Sequence, residues 1–185
     1  MNDHVIDPDA ADNLEDVARY RYLSRDELIG SLAPDPGDAI VDLGSGTGFY
    51  TRDVAAYVDT VQAVDVQSEM HAYFESIGVP ENVSIVTAGI ADMPFAPNSM
   101  DGAVSTMTFH EFVGDAALAE IGRVLRPDAR IVVADWSAEG EGDRGPPLEG
   151  RYTATEAATI FEEAGFELDV VQDRPETFLL SGRNP

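Results

Sequence analysis

A glycine-rich turn and two carboxylates are the residues of this chain that could together form a ligand site. The turn Gly44-Ser45-Gly46-Thr47-Gly48 follows a short apolar run, 39–43, that contains the acid Asp42. Alternate glycines let a backbone approach a ligand closely and direct helix N–H groups toward it. Asp65 lies near the end of a second apolar run, where a carboxylate can accept both hydroxyls of a ribose. These residues therefore predict a ligand that contains a nucleoside.

The same residues distinguish between two kinds of nucleoside ligand. A dinucleotide turn of the form G-x-G-x-x-G/A requires a small residue where this chain has Phe49. A carboxylate at Asp42 would repel a pyrophosphate but attract an ammonium or a sulfonium group. We therefore expect a nucleoside at Asp65 and an amino-acid portion near Asp42, which together describe S-adenosylmethionine. A nicotinamide-dependent reductase is disfavoured.

The elements that must position these residues alternate between strand and helix. Apolar runs predict strands at 39–43, 61–66, 83–87, 103–106 and 129–134, and a terminal hairpin over 166–171 and 176–181. Capping boxes predict helices after Ser24 and Thr153, and further helices follow the glycine turn, begin near 68–70, and span 116–126 before Pro127. The predicted fold class is α/β, a doubly wound, mostly parallel seven-stranded sheet with a C-terminal antiparallel hairpin. We expect a flexible N-terminus at 1–13 and one domain over 14–185.

Composition narrows the classes of partner. The chain has 35 acidic residues against 11 basic ones, all of them arginine, and its formal net charge is -24. Such a chain repels nucleic acid and anionic membranes at long range, so neither is an expected partner. It contains no cysteine, and its histidines are scattered, so no metal is expected. The N-terminus lacks a signal-like pattern, which predicts a cytoplasmic protein.

Several stretches together resemble the class I S-adenosylmethionine-dependent methyltransferases of the type-11 or UbiE-like group. The matching stretches are 40–48, 63–66 with 69–70, 92–95 with 98–101, and 123–127. The resemblance implies a Rossmann-like methyltransferase fold and S-adenosyl-L-methionine as cofactor. It also implies that Val66 packs on the adenine, with Ile90 and Ala91 at its border. Relatives often carry an acid at the position of Ile90, so Asp92 or the Ile90 amide is expected to take its place.

The segment 105–112 follows the fourth strand, and the resemblance places it beside the sulfonium and the methyl acceptor. Thr106 and Met107 are therefore expected at the cofactor. If the acceptor must lose a proton, His110 titrates in the useful range, and Glu111 could orient it or act alone. The alternative is that one of the two caps the next helix and the other lies on the surface. His71 is expected to be solvated.

The expected reaction is in-line methyl transfer to a small-molecule acceptor, for which holding the two reactants close supplies most of the barrier reduction. The alternative is a non-catalytic S-adenosylmethionine-binding or regulatory module. Trp136, Arg151 and Tyr152 could line an acceptor pocket or simply pack the Gly- and Pro-rich loop 137–150. Because this loop takes the place of a larger cap, the pocket is expected to be open or covered by the second subunit of a homodimer.

The acidic excess also predicts a halophilic protein from a salt-rich cytoplasm. Acidic side chains repel one another at low ionic strength, and molar salt shortens the Debye length to about 3 Å. We expect the thermal unfolding midpoint, followed by circular dichroism, to rise from dilute buffer to about 1 M potassium chloride. Equal midpoints in the two buffers would contradict this prediction.

Overall fold

A seven-stranded sheet organises the chain in the computed structural model, which describes residues 11–185. The strands are β1 (Ala39–Leu43), β2 (Thr60–Asp65), β3 (Val83–Thr87), β4 (Met100–Thr106), β5 (Leu125–Trp136), β6 (Glu167–Asp173) and β7 (Thr177–Arg183). Their order across the sheet is β3-β2-β1-β4-β5-β7-β6. The first five pair in parallel, whereas β7 is antiparallel to both β5 and β6. The predicted sheet with its terminal hairpin is confirmed.

Helices cover both faces of this sheet. They are α1 (Ala11–Leu14), α2 (Arg25–Leu32), α3 (Phe49–Ala55), α4 (Ser68–Ile77), α5 (Phe109–Phe112), α6 (Asp115–Val124) and α7 (Ala154–Glu163), with 3-10 turns at Val17–Arg21 and Leu148–Gly150. One buried cluster joins the sheet to α6 and α7, and a second joins it to α2 and α3. Strand β1 contributes Val41 and Leu43 to the first cluster and Ile40 to the second. A strand that is buried on both faces needs the continuous apolar run that the sequence has here.

Both predicted capping boxes are present. The Ser24 hydroxyl accepts the Glu27 N–H at 3.2 Å, and the Glu27 carboxylate accepts the Ser24 N–H at 3.4 Å. Thr153 and Glu156 make the same reciprocal pair at the start of α7, at 3.1 and 2.8 Å. Each cap satisfies helix N–H groups that have no partner within the helix, and is worth about 1 kcal/mol.

The junction between α6 and β5 differs from the prediction. A helix over 116–126 that stops at Pro127 was expected, but α6 ends at Val124 and β5 begins at Leu125, which pairs with Met100. The carbonyls of the last two helical residues accept N–H groups from the loop before β4, at 2.9 Å each, which draws this backbone into the sheet. Pro127 lies where the ladder between β4 and β5 shifts register, so its missing N–H costs no ladder bond.

The structure describes only part of the N-terminal segment that was predicted to be flexible. Residues 1–10 lie outside the described residues, and residues 11–13 begin α1. The boundary between a flexible segment and a domain at residue 14 stays a prediction. Within residues 11–185, no helix combines the length and the apolarity that crossing a membrane would require.

The register of the parallel strands aligns their carboxyl ends. Leu43 pairs with Val64 in β2, and Asp42 pairs with Val104 in β4. Further along the sheet, the last residue of β4 pairs with Ala134 in β5. The ends of β2, β1, β4 and β5 therefore form one edge, where an open α/β sheet binds its ligand.

The turn after β1 requires glycine at two positions. Gly44 has a φ of +78°, and a Cβ there would lie 2.2 Å from the Thr108 side chain. Gly48 has a φ of +79°, and a Cβ there would lie 2.2 Å from the Phe74 ring of α4. Gly48 was predicted to contact the cofactor. In the structure, the absence of a side chain at Gly48 lets α4 pack closely against the start of α3.

We expect Gly48→Ala to lower the free energy of unfolding by about 2–4 kcal/mol, because alanine would be strained in the left-handed region and would overlap Phe74. Urea unfolding measures this change. Gly37→Ala is the matched control, since a Cβ at Gly37 meets nothing within 4 Å. A Gly48→Ala protein of unchanged stability that binds S-adenosylhomocysteine weakly would instead support a ligand contact at Gly48.

Candidate cofactor and reaction site

A cavity of about 450 Å³ opens at the aligned strand ends, within the usual range for small-molecule sites. Its walls are the turn after β1, the ends of β2, β4 and β5, the start of α5, the turn Val17–Arg21 and part of the loop 137–150. The predicted site residues that line it are Gly44, Ser45, Gly46, Asp65, Thr106, Met107, His110 and Glu111. The structure therefore brings the predicted ribose carboxylate and the predicted base residues to one space.

The other predicted cofactor residues do not line this cavity. They are Asp42, Gly48, Val66, Ile90, Ala91 and Asp92. Val66 is 61% exposed, Ile90 is buried in the core cluster, and Ala91 and Asp92 are exposed. Direct contact of these residues with a cofactor stays a prediction.

Asp65 connects the tip of β2 to the glycine turn. One carboxylate oxygen accepts the N–H of Gly46 at 2.8 Å, and the other accepts the N–H of Gln67 at 2.9 Å. Each oxygen keeps a further lone pair. The carboxylate is thus held rigidly at the cavity wall and can still accept the two hydroxyls of a ribose.

The amide groups of the turn are already engaged within the protein. The N–H groups of Gly44 and Ser45 both donate to the carbonyl of Val64, at 2.8 and 2.9 Å, and the N–H of Gly46 donates to Asp65. A pyrophosphate would have to displace these bonds beside a carboxylate. This arrangement argues against a dinucleotide at the turn, as the sequence at Phe49 also did.

Two buried polar atoms beside the turn indicate what the site could hold. Neither Asp42 Oδ1 nor Ser45 Oγ has a hydrogen-bond partner among the described residues. The other oxygen of Asp42 accepts the Thr51 hydroxyl at 2.6 Å. Burial raises the pKa of Asp42 to about 6, while the Thr51 hydrogen bond and the charge of Arg19 oppose this rise. A buried acceptor without a partner costs about 1–3 kcal/mol, so a ligand ammonium that supplies donors fits here.

A histidine between two carboxylates occupies the other side of the cavity. His110 Nδ1 lies 2.9 and 3.0 Å from the two oxygens of Asp135, and the backbone N–H of His110 donates to Asp135 at 2.7 Å. Its Nε2 lies 3.7 Å from the Glu111 carboxylate. Asp135 therefore favours a proton on Nδ1 and leaves the lone pair of neutral Nε2 available.

Burial and charge set the protonation of this group. Burial opposes the charged form of His110, but the hydrogen bond and charge of Asp135, together with Glu111, outweigh it and raise the His110 pKa. Burial raises the pKa of Glu111 to about 7, and the nearby His110 opposes that rise. The pKa of His110 is thus raised and that of Glu111 lies at about 7, as suits groups that transfer protons.

Sequence reasoning did not assign a role to Asp135 and misplaced His71. Asp135 is 1% exposed at the end of β5, and a strand-end acid after an apolar run was the signal for it. His71 was expected in solvent, yet it is 3% exposed and its Nδ1 lies 2.9 Å from the Thr87 hydroxyl. The reason is that His71 lies on the face of α4 that packs against the sheet. Across residues 11–185, no three acidic or histidine side chains are grouped as metal ligands.

The outer wall of the cavity is built around Trp136. The Tyr22 ring packs edge-on against it at a centroid distance of 4.9 Å, and Gly145 of the loop lies against the indole. Arg151 is buried and donates to the loop carbonyls of Arg144, Pro146 and Ser137, which fixes the loop. Trp136 thus lines the cavity, whereas Arg151 supports the loop behind it.

The aromatic residues flanking this wall have structural contacts. Tyr20 donates its hydroxyl to Asp53 at 2.8 Å and packs on Phe49, outside the cavity. Tyr152 packs on Phe109 in the core.

Comparisons with known proteins agree with this geometry. Residues 41–133 match the family described as methyltransferase domain. The chain is 30% identical over 158 residues to O-methyltransferase cnsE of Penicillium expansum, covering 77% of this chain and 56% of that protein. It is 34% identical over 107 residues to the demethylmenaquinone methyltransferase of Corynebacterium kroppenstedtii, covering 57% and 45%. The chain spans about half the length of the curated relatives it matches.

A solved structure extends the similarity to the whole fold. The crystal structure of an S-adenosylmethionine-dependent methyltransferase from Aquifex aeolicus has a TM-score of 0.86 and 28% sequence identity, covering 98% of this chain and 100% of that one. S-Adenosylmethionine is the cofactor of the matched family and its neighbours. By its sheet order, its glycine turn and these matches, the chain belongs to the class I S-adenosylmethionine-dependent methyltransferase family.

Proposed function

We propose that this protein is an S-adenosylmethionine-dependent methyltransferase that acts on a small-molecule acceptor with a removable proton. The observation that carries the proposal is the pairing, in one cavity, of the Asp65 carboxylate with the Asp135-held His110. A site that only bound the cofactor would need no oriented base beside it. The names of the relatives, O-methyltransferase and demethylmenaquinone methyltransferase, support a small acceptor.

In this proposal the cofactor is held at both ends. Asp65 accepts the ribose hydroxyls. Ser45 meets the ammonium through its unpartnered oxygen, and the buried Asp42 attracts the ammonium from behind the cavity wall. Arg19, whose charge already interacts with Asp42, faces the carboxylate of the cofactor. Met107 and Thr106 line the cavity between these ends and the base.

The reaction then needs position and one proton acceptor. When bound, the cofactor would supply a methyl group on a sulfonium, which a lone pair of the acceptor would take while the electrons of the broken carbon–sulfur bond stay on sulfur. His110 Nε2 takes the acceptor proton, and Asp135 stabilises the resulting imidazolium. Glu111 borders the same space and adds negative charge beside the protonated ring.

The composition supports further parts of the proposal. A net charge of -24 opposes a nucleic-acid acceptor, because the phosphates would be repelled. We retain as proposals the cytoplasmic location and adaptation to salt, together with a homodimer that covers the cavity.

The first test concerns the cofactor. We expect Asp65→Ala to weaken S-adenosylmethionine binding about 100-fold in titration calorimetry, because two charge-assisted hydrogen bonds are lost. Asp26→Ala is the matched control, since Asp26 is an exposed acid with a side chain 90% accessible on α2. A thermal melt of each variant separates loss of binding from loss of folding. Unchanged binding in Asp65→Ala would argue against this cofactor site.

The second test concerns the base. Below its raised pKa, His110 is protonated and cannot accept a proton, so kcat/KM for a phenolic acceptor should rise with pH and level off above that pKa. Asp135→Asn removes the charge that raises this pKa. The acid limb should therefore move to lower pH while the plateau rate falls about 10²–10⁴-fold.

Glu111→Gln is the control for this assignment, because the pKa of Glu111 is about 7 and its titration could also produce an acid limb. If His110 is the base, the acid limb persists in Glu111→Gln and is lost in His110→Gln. A limb lost only in Glu111→Gln would assign the base to Glu111. Cofactor binding without methyl transfer across a panel of phenols, thiols and amines would support the non-catalytic alternative.

A further inference from the structure

The distribution of arginine in this acidic chain is uneven. Most arginines lie within 4.0 Å of a carboxylate, in pairs that join distant segments or neighbouring side chains. These pairs are Arg25–Asp26, Arg52–Glu15, Arg123–Glu120, Arg126–Asp101, Arg130–Asp169, Arg151–Glu176 and Arg174–Glu27. Within the described part of the chain, the arginines without such a pair are Arg19, Arg21, Arg144 and Arg183. Three of these four line the cavity.

Two of the three cavity arginines lie at the outer wall. Arg21 and Arg144 are exposed, and neither guanidinium has a hydrogen bond or ion pair with another described residue. Arg19 differs, because it is partly buried, donates to the carbonyl of Leu14 at 2.7 Å and lies over the rings of Phe49 and Tyr50. Arg19 belongs to the cofactor end of the cavity, whereas Arg21 and Arg144 have no assigned partner.

Two segments that contact Trp136 carry these two side chains. Arg21 precedes Tyr22, which packs on one side of the indole, and Arg144 precedes Gly145, which packs against the ring. The carbonyl of Arg144 also accepts from the buried Arg151, so its backbone is fixed within the loop. Two arginines without a hydrogen bond or ion pair among residues 11–185 therefore line the cavity, each next in sequence to a residue that contacts Trp136.

The place of this wall in the sheet separates it from the ribose end. The strand order β2-β1-β4-β5 puts Asp65 at one end of the cavity and the loop after β5 at the other, beside Asp135 and His110. At the ribose end, Asp65 accepts two backbone N–H groups. At the acceptor end, Glu111 faces the His110 ring. Arg21 and Arg144, the cavity arginines without a hydrogen bond or ion pair among the described residues, are therefore on the acceptor side.

We propose that the methyl acceptor carries an anionic group, such as a carboxylate, which Arg21 and Arg144 bind at the cavity mouth beside Trp136. The proposal rests on the function proposed above and specifies the acceptor class for it. Two guanidinium groups would offset locally the repulsion that the acidic chain as a whole exerts on an anion. They would hold the anionic end of the acceptor while its protic group meets His110.

The test compares matched anionic and neutral probes on protein saturated with S-adenosylhomocysteine. The probes are 4-hydroxybenzoate, 3-hydroxyphenylacetate and salicylate, each against its carboxamide, with dissociation constants measured by calorimetry. We expect at least one acid to bind about tenfold more tightly than its amide. Arg21→Gln and Arg144→Gln should each reduce this preference several-fold, and the double variant should abolish it.

Arg183→Gln is the matched control, because Arg183 also lacks a carboxylate partner but lies at the far end of β7, away from the cavity. It should keep the preference for the acid. The inference is overturned if no acid is preferred over its amide, including the case in which none of the probes binds. It is also overturned if the cavity variants keep the preference, or if they weaken S-adenosylhomocysteine binding instead.

Two further measurements distinguish a failure of this inference from a failure of the proposed function. Binding of S-adenosylhomocysteine to the wild-type protein is measured first. A protein that does not bind this ligand would count against the proposed function alone. The comparison of acid and amide probes is then repeated on unliganded protein, where the two arginines are still present. Methyl transfer to an acid but not to its amide would support both proposals. In the double variant, this preference should be lost through a rise in KM while kcat is retained.

Discussion

The parallel pairing of four strands is the constraint on which the site depends. A tight turn cannot join parallel strands, so each connection crosses over a face of the sheet and each strand ends at the same edge. Because β2, β1, β4 and β5 share that edge, Asp65, the glycine turn, His110 and Asp135 meet although they are far apart in sequence. The bonds from Asp65 to Gly46 and Gln67 then lock two neighbouring strand ends together.

Most of the fold could be predicted because local signals agreed with it. Apolar runs of strand length, the turn 44–48 and the capping boxes at Ser24 and Thr153 each act over a few residues, and they define the order of elements. The end of α6 could not be predicted in this way. Helical spacing continues through Leu125, and only its pairing with Met100 makes that residue the start of a strand.

The site was harder to predict than the fold because contacts across the sheet define it. Asp65 ends β2 and was predicted from its position and chemistry, whereas His110 and Glu111 were predicted because the family resemblance places their segment at the acceptor; all three line the cavity. Asp135 also lies at the end of a strand, but its bond to His110 joins two segments that are far apart in sequence. No spacing pattern in the sequence indicates this contact. At Gly48 the ring of Phe74 leaves no room for a side chain, and the sequence does not reveal which side chain packs above a turn.

The outer wall contains an intrinsic fluorophore. The chain contains a single tryptophan, and Trp136 is contacted by both segments that bound the cavity mouth, at Tyr22 and Gly145. The guanidinium of Arg151 lies 5.6 Å from the centre of the same ring. Indole emission depends on such neighbours, so the protein carries one built-in optical reporter at the entrance to its cavity. Its signal would report a ligand that enters beside the indole without any attached label.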